Sequence, residues 1–426
     1  MGKCLGSIWR YRVSQRLAGP IFLLVLLIAL NILSLTDRFL IAAFGTQIVT
    51  DLDLSHQQFG LLTGFGFILF YALAGPVTGI LADRFGASRI LTIGILLWSA
   101  MTALTGQAKS FIGMMLPRAF VGIGEATLNP AATAVLSRAF DSQHRAVVLG
   151  LYFMGGHIGV ALAYQIAGMP SIEWRGVFTW LGIIGIGMAC LLVAFARAMP
   201  DALGRPESAD RKDTAPSMMG LIGELLSLAR RNSTLQLAIL GMALLHLIYA
   251  EIQFMQIWLA SERGYSPDAA SALYGQTYLL TAVPASLLGG ALADLMARHP
   301  SFNRASFIVA VIMVTLPLVF LFRIAEPGST LFLTGMVASI ALFTLPYGAM
   351  VAIILDQVPD GIKASTTALT MFTVNVLIIG SATYFLGLAS DIFASINLDE
   401  PMSSALLIMD TLLILSLVAY ARLHTK

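Results

Sequence analysis

The chain has 426 residues, of which 58% are hydrophobic and only 11% charged, with a formal net charge of +2. Soluble domains carry about 25% charged residues, so this composition excludes an ordinary water-facing globule and points to lipid as the main solvent. The small net charge excludes a nucleic-acid partner, and two cysteines, Cys4 and Cys190, exclude a disulfide framework or a zinc cluster. The basic start (Lys3, Arg10, Arg12, Arg16) precedes an apolar run too long for a signal peptide. Gly6 stands where a myristoylation signal needs Ser or Thr, so no lipid anchor is expected.

A membrane span needs about 20 mostly apolar residues. Cutting the chain at charge and Gly/Pro clusters gives six such runs at about 20–48, 57–82, 90–107, 111–136, 147–168 and 176–196. A charged stretch from Arg197 to Arg231 follows, and inside it Met218–Leu226 has helical spacing of apolar residues, too short to span and suited to the membrane surface. Six more runs lie at about 234–260, 269–293, 305–322, 331–355, 365–388 and 402–421. The expected fold is an all-α membrane protein of twelve transmembrane helices, with bundles over 1–196 and 234–426 and a cytoplasmic linker over 197–233. With a cytoplasmic N-terminus, the termini and inward loops hold nineteen Lys and Arg and the outward loops four: Lys109, Arg175, Arg263 and Arg323. That bias puts both termini in the cytoplasm of a cell-membrane protein.

The halves repeat. An offset of 211 carries Ser55 onto Ser266, Gly64 onto Gly275, and Gly79–Asp83 onto Gly290–Asp294 without a gap. Duplicated six-span units place a substrate site at their interface near mid-membrane and alternate its access by rocking.

At Gly79-Ile80-Leu81-Ala82-Asp83-Arg84-Phe85-Gly86 the sequence resembles the signature loop of the major facilitator superfamily. The resemblance implies two pseudo-symmetric six-helix bundles around a central cavity. Physically, Gly79 is expected to let two helices approach closely and Gly86 to serve a tight turn. Asp83 would face the positive N-terminus of the span opening at Ala364-Ser365, so Gly79, Asp83, Arg84, Gly86, Arg89 and Asp294 form the expected cytoplasmic gate. The loop departs from the family pattern at Ala87 and Ser88, where basic residues are common, and Arg89 follows one place later. The second copy has Leu295 in place of Arg84. A narrower resemblance, to the spinster-like branch, rests on Asn31 through Thr36-Asp37-Arg38-Phe39 and on Arg118 through Gly122, Gly124, Glu125 and Ala126. Asn129-Pro130-Ala131-Ala132, Gly150 to Gly155 and Gln256-Ile257-Trp258-Leu259 fit the same branch. It implies lysolipid or sphingolipid-phosphate transport driven by protons. The organic-anion symporter branch shares the first-span Asp-Arg and the fourth-span Arg and Glu.

Asp37, Arg38, Arg118 and Glu125 all fall inside apolar runs, where an unpaired charge costs at least about 2.5–3.5 kcal/mol. Arg118 and Glu125 are seven residues apart and share a helix face, while Asp37 and Arg38 point about 100° apart, so one can reach Arg118 and the other Glu125. Two acids and two arginines are neutral when ionised. Protonating either acid leaves +1 to hold an anionic head group at Arg38 and Arg118. Arginine does not give up its proton, so Asp37 and Glu125 are the expected proton carriers, Glu125 first. The alternative is a permanent buried network that fixes helix packing.

On the second half, Tyr249, Glu251, Gln256, Tyr274 and Asn375 are candidates for a cavity face, with Glu251 open to the alternative of an outer-rim carboxylate. The rest of that half reads as strongly apolar. His246 reads as a helix-interface histidine, and His157, between Gly156 and Gly159, as part of close helix packing. Asp410, mid-way along the last run, suggests a span shifted outward.

Gly122-Ile123-Gly124 and Gly182 to Gly187 lie in spans without a preceding strand, so neither is a nucleotide loop. No metal-ligand spacing, Ser-His-Asp set or phosphate-cradling loop appears, which excludes an enzyme, an ATP-driven pump and any cofactor beyond a proton gradient. The expectation is a monomeric secondary transporter of an amphipathic lipid-like substrate, surrounded by membrane lipids. A proton-driven symporter of a small organic anion such as a sugar acid is the alternative, and a non-transporting membrane sensor the second.

Overall fold

The structure, a computed structural model, describes residues 2–199, 223, 227–228, 230–359 and 363–424. Among the described residues, twelve helices are long and apolar enough to cross a membrane. In chain order they are spans 1 (Gly19–Ala43), 2 (His56–Ala82), 3 (Ala87–Thr105), 4 (Phe111–Ala139), 5 (Gln143–Ala167) and 6 (Trp174–Ala198). The second set comprises spans 7 (Ser233–Ser261), 8 (Pro267–Met296), 9 (Arg304–Ile324), 10 (Thr330–Asp356), 11 (Leu369–Ser395) and 12 (Pro401–His424). Eleven match the apolar runs read from the sequence to within about five residues, span 11 ends seven residues beyond its run, and an even number returns the chain to its starting face. The expected surface helix at Met218–Leu226, and the contact of the Asp83 side chain with the span opening at Ala364-Ser365, lie outside the described residues.

Local chemistry sets the span ends. Ser55 accepts from the Gln58 backbone while the Gln58 side chain accepts from the Ser55 backbone, a capping box that opens span 2. Ser266, carried onto Ser55 by the repeat, caps span 8 in the corresponding place. Gly86 has φ +93, so the turn between spans 2 and 3 requires glycine as expected. Spans 4, 7 and 10 break midway, at Ala126–Thr127, His246–Leu247 and Leu345–Pro346. Span 11 carries a π-helical segment, Val374–Gly380. Such breaks are tolerated at membrane depth where they line a cavity. Val25, Ile93, Trp180, Leu280 and Val314 are all more than half exposed on the outside. That apolar girdle suits hydrocarbon, not water.

The two six-span halves meet mainly at the face opposite the termini, here the closed face. Gln256 Oε1 accepts from the Thr46 backbone at 2.8 Å and its hydroxyl at 3.0 Å. Ser271 donates to the Ala43 carbonyl at 2.7 Å, and Tyr164 to the Ile252 carbonyl at 2.8 Å. Asp391 of span 11 accepts from the backbone N–H groups of His56 (3.0 Å) and Gln57 (2.7 Å), capping span 2 across the interface. Gly64 and Gly275, equivalent in the repeat, pack against the other half: Gly64 on Thr383 and Gly380, Gly275 on Tyr164 and Gln165. Toward the terminal face the described residues carry fewer close approaches between the halves. Among the described residues, a side chain at Gly79 or Gly290 would meet nothing within 4 Å, so none of them makes the close helix approach expected at Gly79.

Asp391→Ala removes two charge-assisted hydrogen bonds that hold the closed face, worth about 1.5–3 kcal/mol each when buried and less at this partly exposed site. Spin labels straddling that face should report a larger share of long distances in the variant than in wild type. An unchanged distance distribution would show that the glycine packing alone keeps the face shut.

Candidate functional site

The four charges expected to cluster do so. Asp37 and Arg38 leave span 1 in different directions, and span 4 presents Arg118 and Glu125 two turns apart to meet them. Arg118 Nη1 donates to Asp37 Oδ1 at 3.1 Å. Arg38 donates to Glu125 Oε2 from Nη2 at 2.8 Å and from Nε at 3.3 Å. The hydroxyl of Thr102, from span 3, donates to Asp37 Oδ2 at 2.6 Å, a contact with no sequence signal.

The two pairs differ in access. Asp37, Arg118 and Glu125 are each 1% exposed, whereas the Arg38 side chain is 19% exposed. Arg38 opens onto a central cavity of about 250 Å³ lined by spans 1, 2, 4, 5, 7, 8, 10 and 11. Its guanidinium carbon stands 4.5 Å from the Phe67 ring and 4.7 Å from the Tyr71 ring, a cation–π seat that fixes the charge at the wall. Arg118 stands 5.3 Å from the Phe67 ring and, although expected to share in holding a head group, is not among the residues lining this cavity.

Hydrogen bonding separates the acids further. Both Asp37 oxygens are bonded, one by Arg118 and one by Thr102. Glu125 uses only Oε2, and its buried Oε1 has no partner. Arg118 Nε is likewise unpaired.

Tyr249 and Asn375 of the second half line the cavity as expected, joined by Tyr278, Phe343 and, from span 5, His157. His157 bonds the Tyr278 hydroxyl at 3.2 Å, so it faces the cavity instead of serving helix packing alone. His246 is an interface histidine: Nδ1 bonds the Met242 carbonyl at 2.7 Å and the ring meets Phe343 edge-on. Three expected cavity residues lie elsewhere. Gln256 closes the face opposite the termini, and Tyr274 is buried edge-on against Tyr164, 4.7 Å between centroids.

Glu251 is the third. It bonds Arg323, whose Nε and Nη2 also donate to Asp410 at 2.9 and 3.2 Å, and all three side chains are fully buried. The outward-loop placement of Arg323 and the outward shift of the last span are both overturned: Arg323 ends span 9 inside the protein, and Asp410 points at it from span 12. The second half is not uniformly apolar. At the terminal face, Asp294 bonds Arg304, which also reaches Asp356 at 2.6 Å, while Arg84 and Arg89 are exposed.

The model of the Major Facilitator Superfamily matches residues 26–383, and the chain belongs to that family. An "MFS-type efflux pump" of Mycolicibacterium smegmatis is 26% identical over 84% of this chain and 82% of its own length. A hexuronate transporter of Bacillus subtilis is 24% identical over 67% of each chain. A sphingosine-1-phosphate transporter of Xenopus tropicalis is 30% identical over 45% of this chain but only 38% of its own length. Among solved structures, a bacterial homolog of the human lysosomal transporter spinster, inward-facing and unoccupied, has a TM-score of 0.80 and 23% identity. That match covers 94% of this chain and 96% of the other. Twelve apolar helices and this family make the chain a multi-pass integral membrane protein.

Arg38→Lys tests the site directly. An ammonium is a single point charge that cannot make the paired Nε and Nη2 contact or keep the flat seat between Phe67 and Tyr71. Substrate affinity should fall by about tenfold or more, as expected for loss of a charge-assisted bond, and isothermal titration of the purified variant measures it. Wild-type affinity would reduce Arg38 to a simple counter-ion.

Proposed function

We propose that the protein is a proton-coupled secondary transporter of an anionic amphiphile, a lysolipid or a sphingolipid phosphate, working by alternating access with its termini in the cytoplasm. The observation that carries this reading is the asymmetry of the two acid–arginine pairs. Arg38 is the one cluster cation at the cavity wall, and its partner Glu125 keeps an unbonded buried oxygen, ready for a proton. Protonated Glu125 releases Arg38 to hold an anionic head group. Deprotonated Glu125 takes Arg38 back and lets the anion go. Asp37, satisfied on both oxygens, is the fixed partner that holds Arg118.

The hydrogen bonds and glycine packing that join the halves at the face opposite the termini support an inward-open state, since the Lys and Arg bias assigns the terminal face to the cytoplasm. The cavity favours a substrate with one compact charged end: Arg38 and His157 supply polar groups, and Phe39, Phe67 and Phe343 supply apolar walls. The enclosed part of this open cavity, about 250 Å³, accommodates a head group. The acyl chain then lies toward the open face or between spans.

The same small volume favours a second reading, a proton symporter of a small organic anion such as a sugar acid. Proteoliposomes with an imposed pH gradient, offered a labelled lysolipid or a labelled hexuronate, separate the two. Gradient-dependent uptake of the lysolipid alone supports the first, uptake of the hexuronate alone the second. Binding of either without any flux would point to a non-transporting sensor.

A further inference from the structure

The buried triad of the second half has a charge balance that the first cluster lacks. Glu251, Asp410 and Arg323 each show 0% exposure. Two carboxyl groups and one guanidinium sum to −1 when all are ionised. No other described residue forms an ion pair with Glu251 or Asp410. A lone buried charge costs several kcal/mol, and a carboxyl so placed takes up a proton instead.

The bonding says which one. Asp410 is met on both oxygens by Arg323, from Nε at 2.9 Å and Nη2 at 3.2 Å. Glu251 shares the same Nη2 through Oε2, and its Oε1 is buried with no donor. An ionised carboxylate would leave that oxygen unsolvated, beside another carboxylate on the same nitrogen. The surroundings offer no second cation. Facing Glu251 are Arg323 from span 9, Asp410 from span 12 and, within electrostatic range, the Tyr274 phenol from span 8. Spans 1, 10 and 11 make no ion pair with it among the described residues. Arg263, which stacks with Arg323 on Trp258, is committed to Glu400, Ser403 and the Arg323 carbonyl.

We infer that Glu251 and Asp410 form a second proton-binding site, one proton shared by the pair and resident on Glu251 in this conformation. The site lies in the half opposite the Asp37–Glu125 cluster and outside the substrate cavity. It is built into the moving part of the fold. Glu251 sits just past the break at His246–Leu247, on the half-helix Ile248–Ser261 whose Ile252 carbonyl and Gln256 side chain bond the other half at the closed face. A swing of that half-helix about the break would separate Glu251 from Arg323 and Asp410, so the shared arrangement belongs to the closed-face form.

Infrared spectroscopy of the purified full chain at neutral pH tests this without substrate or gradient, so its result is independent of the transport reading above. Wild type minus Glu251→Gln should show one protonated-carboxyl C=O band per chain. Wild type minus Asp410→Asn should show the same band, because Glu251 left alone with Arg323 ionises. Both variants keep a neutral triad and should melt near wild type, which separates a lost proton from a lost fold. Persistence of the band in either variant, or absence of any difference band, overturns the proposal.

Discussion

Glu125→Gln is expected to abolish uphill transport while substrate still binds. Glutamine keeps the size of the acid and mimics its protonated form, so Arg38 is permanently free to hold the anion and the release step has no trigger. Binding affinity should then be as tight as wild type at low pH and insensitive to pH above it. Asp37→Asn should behave differently. It leaves Arg118, 2% exposed at the side chain, as an uncompensated buried charge, a loss of about 3–5 kcal/mol for breaking a buried pair from one side. Folded yield and melting temperature should fall along with binding. The pair of variants is read by substrate affinity across pH beside gradient-driven flux. Uphill transport with a normal pH response in Glu125→Gln would move the coupling role to Asp37.

Removing the cation of the buried triad is expected to be as damaging as Asp37→Asn. Arg323→Met leaves Glu251 and Asp410 without the five-donor fork that bonds both of them, and about 3–5 kcal/mol of stability should be lost. Replacing all three groups together should be gentler, because no stranded charge remains: Arg323→Met with Glu251→Gln and Asp410→Leu should recover a large part of the loss. Thermal melting in detergent or nanodiscs measures both variants. Equal damage in single and triple variants would show that packing of Arg323 on Trp258, 5.2 Å from the ring, matters more than its charge.

The spans and the first charge cluster were legible because membrane solvent makes them so. Apolar length sets each helix, and a charge within that length must find a partner. With four charges on two antiparallel spans, a seven-residue spacing on one and adjacent residues on the other, few pairings were available. Arg323 was hidden because it stands next to the last residue of its helix, where a basic residue reads as loop. Its partners come from spans 7 and 12, and no periodicity links them. Gln256 and Tyr274 show the other limit: a polar residue must find a partner, yet spacing alone cannot say whether that partner is a cavity or the facing half. Gly79 shows a third, since a helix approach belongs to one conformation and the sequence serves both.

The π-helical segment of span 11 gives that helix a built-in slip joint. Val374–Gly380 holds Asn375 at the cavity, and just beyond it Gly387 packs against the His56 backbone of the other half. A π turn carries one surplus residue relative to α winding and has weaker hydrogen bonding. Passing that surplus along the helix turns the residues it crosses by about 100°, while the segment anchored at Gly387 stays in register. Span 11 can therefore re-aim its cavity side chains while its far end holds its grip on span 2.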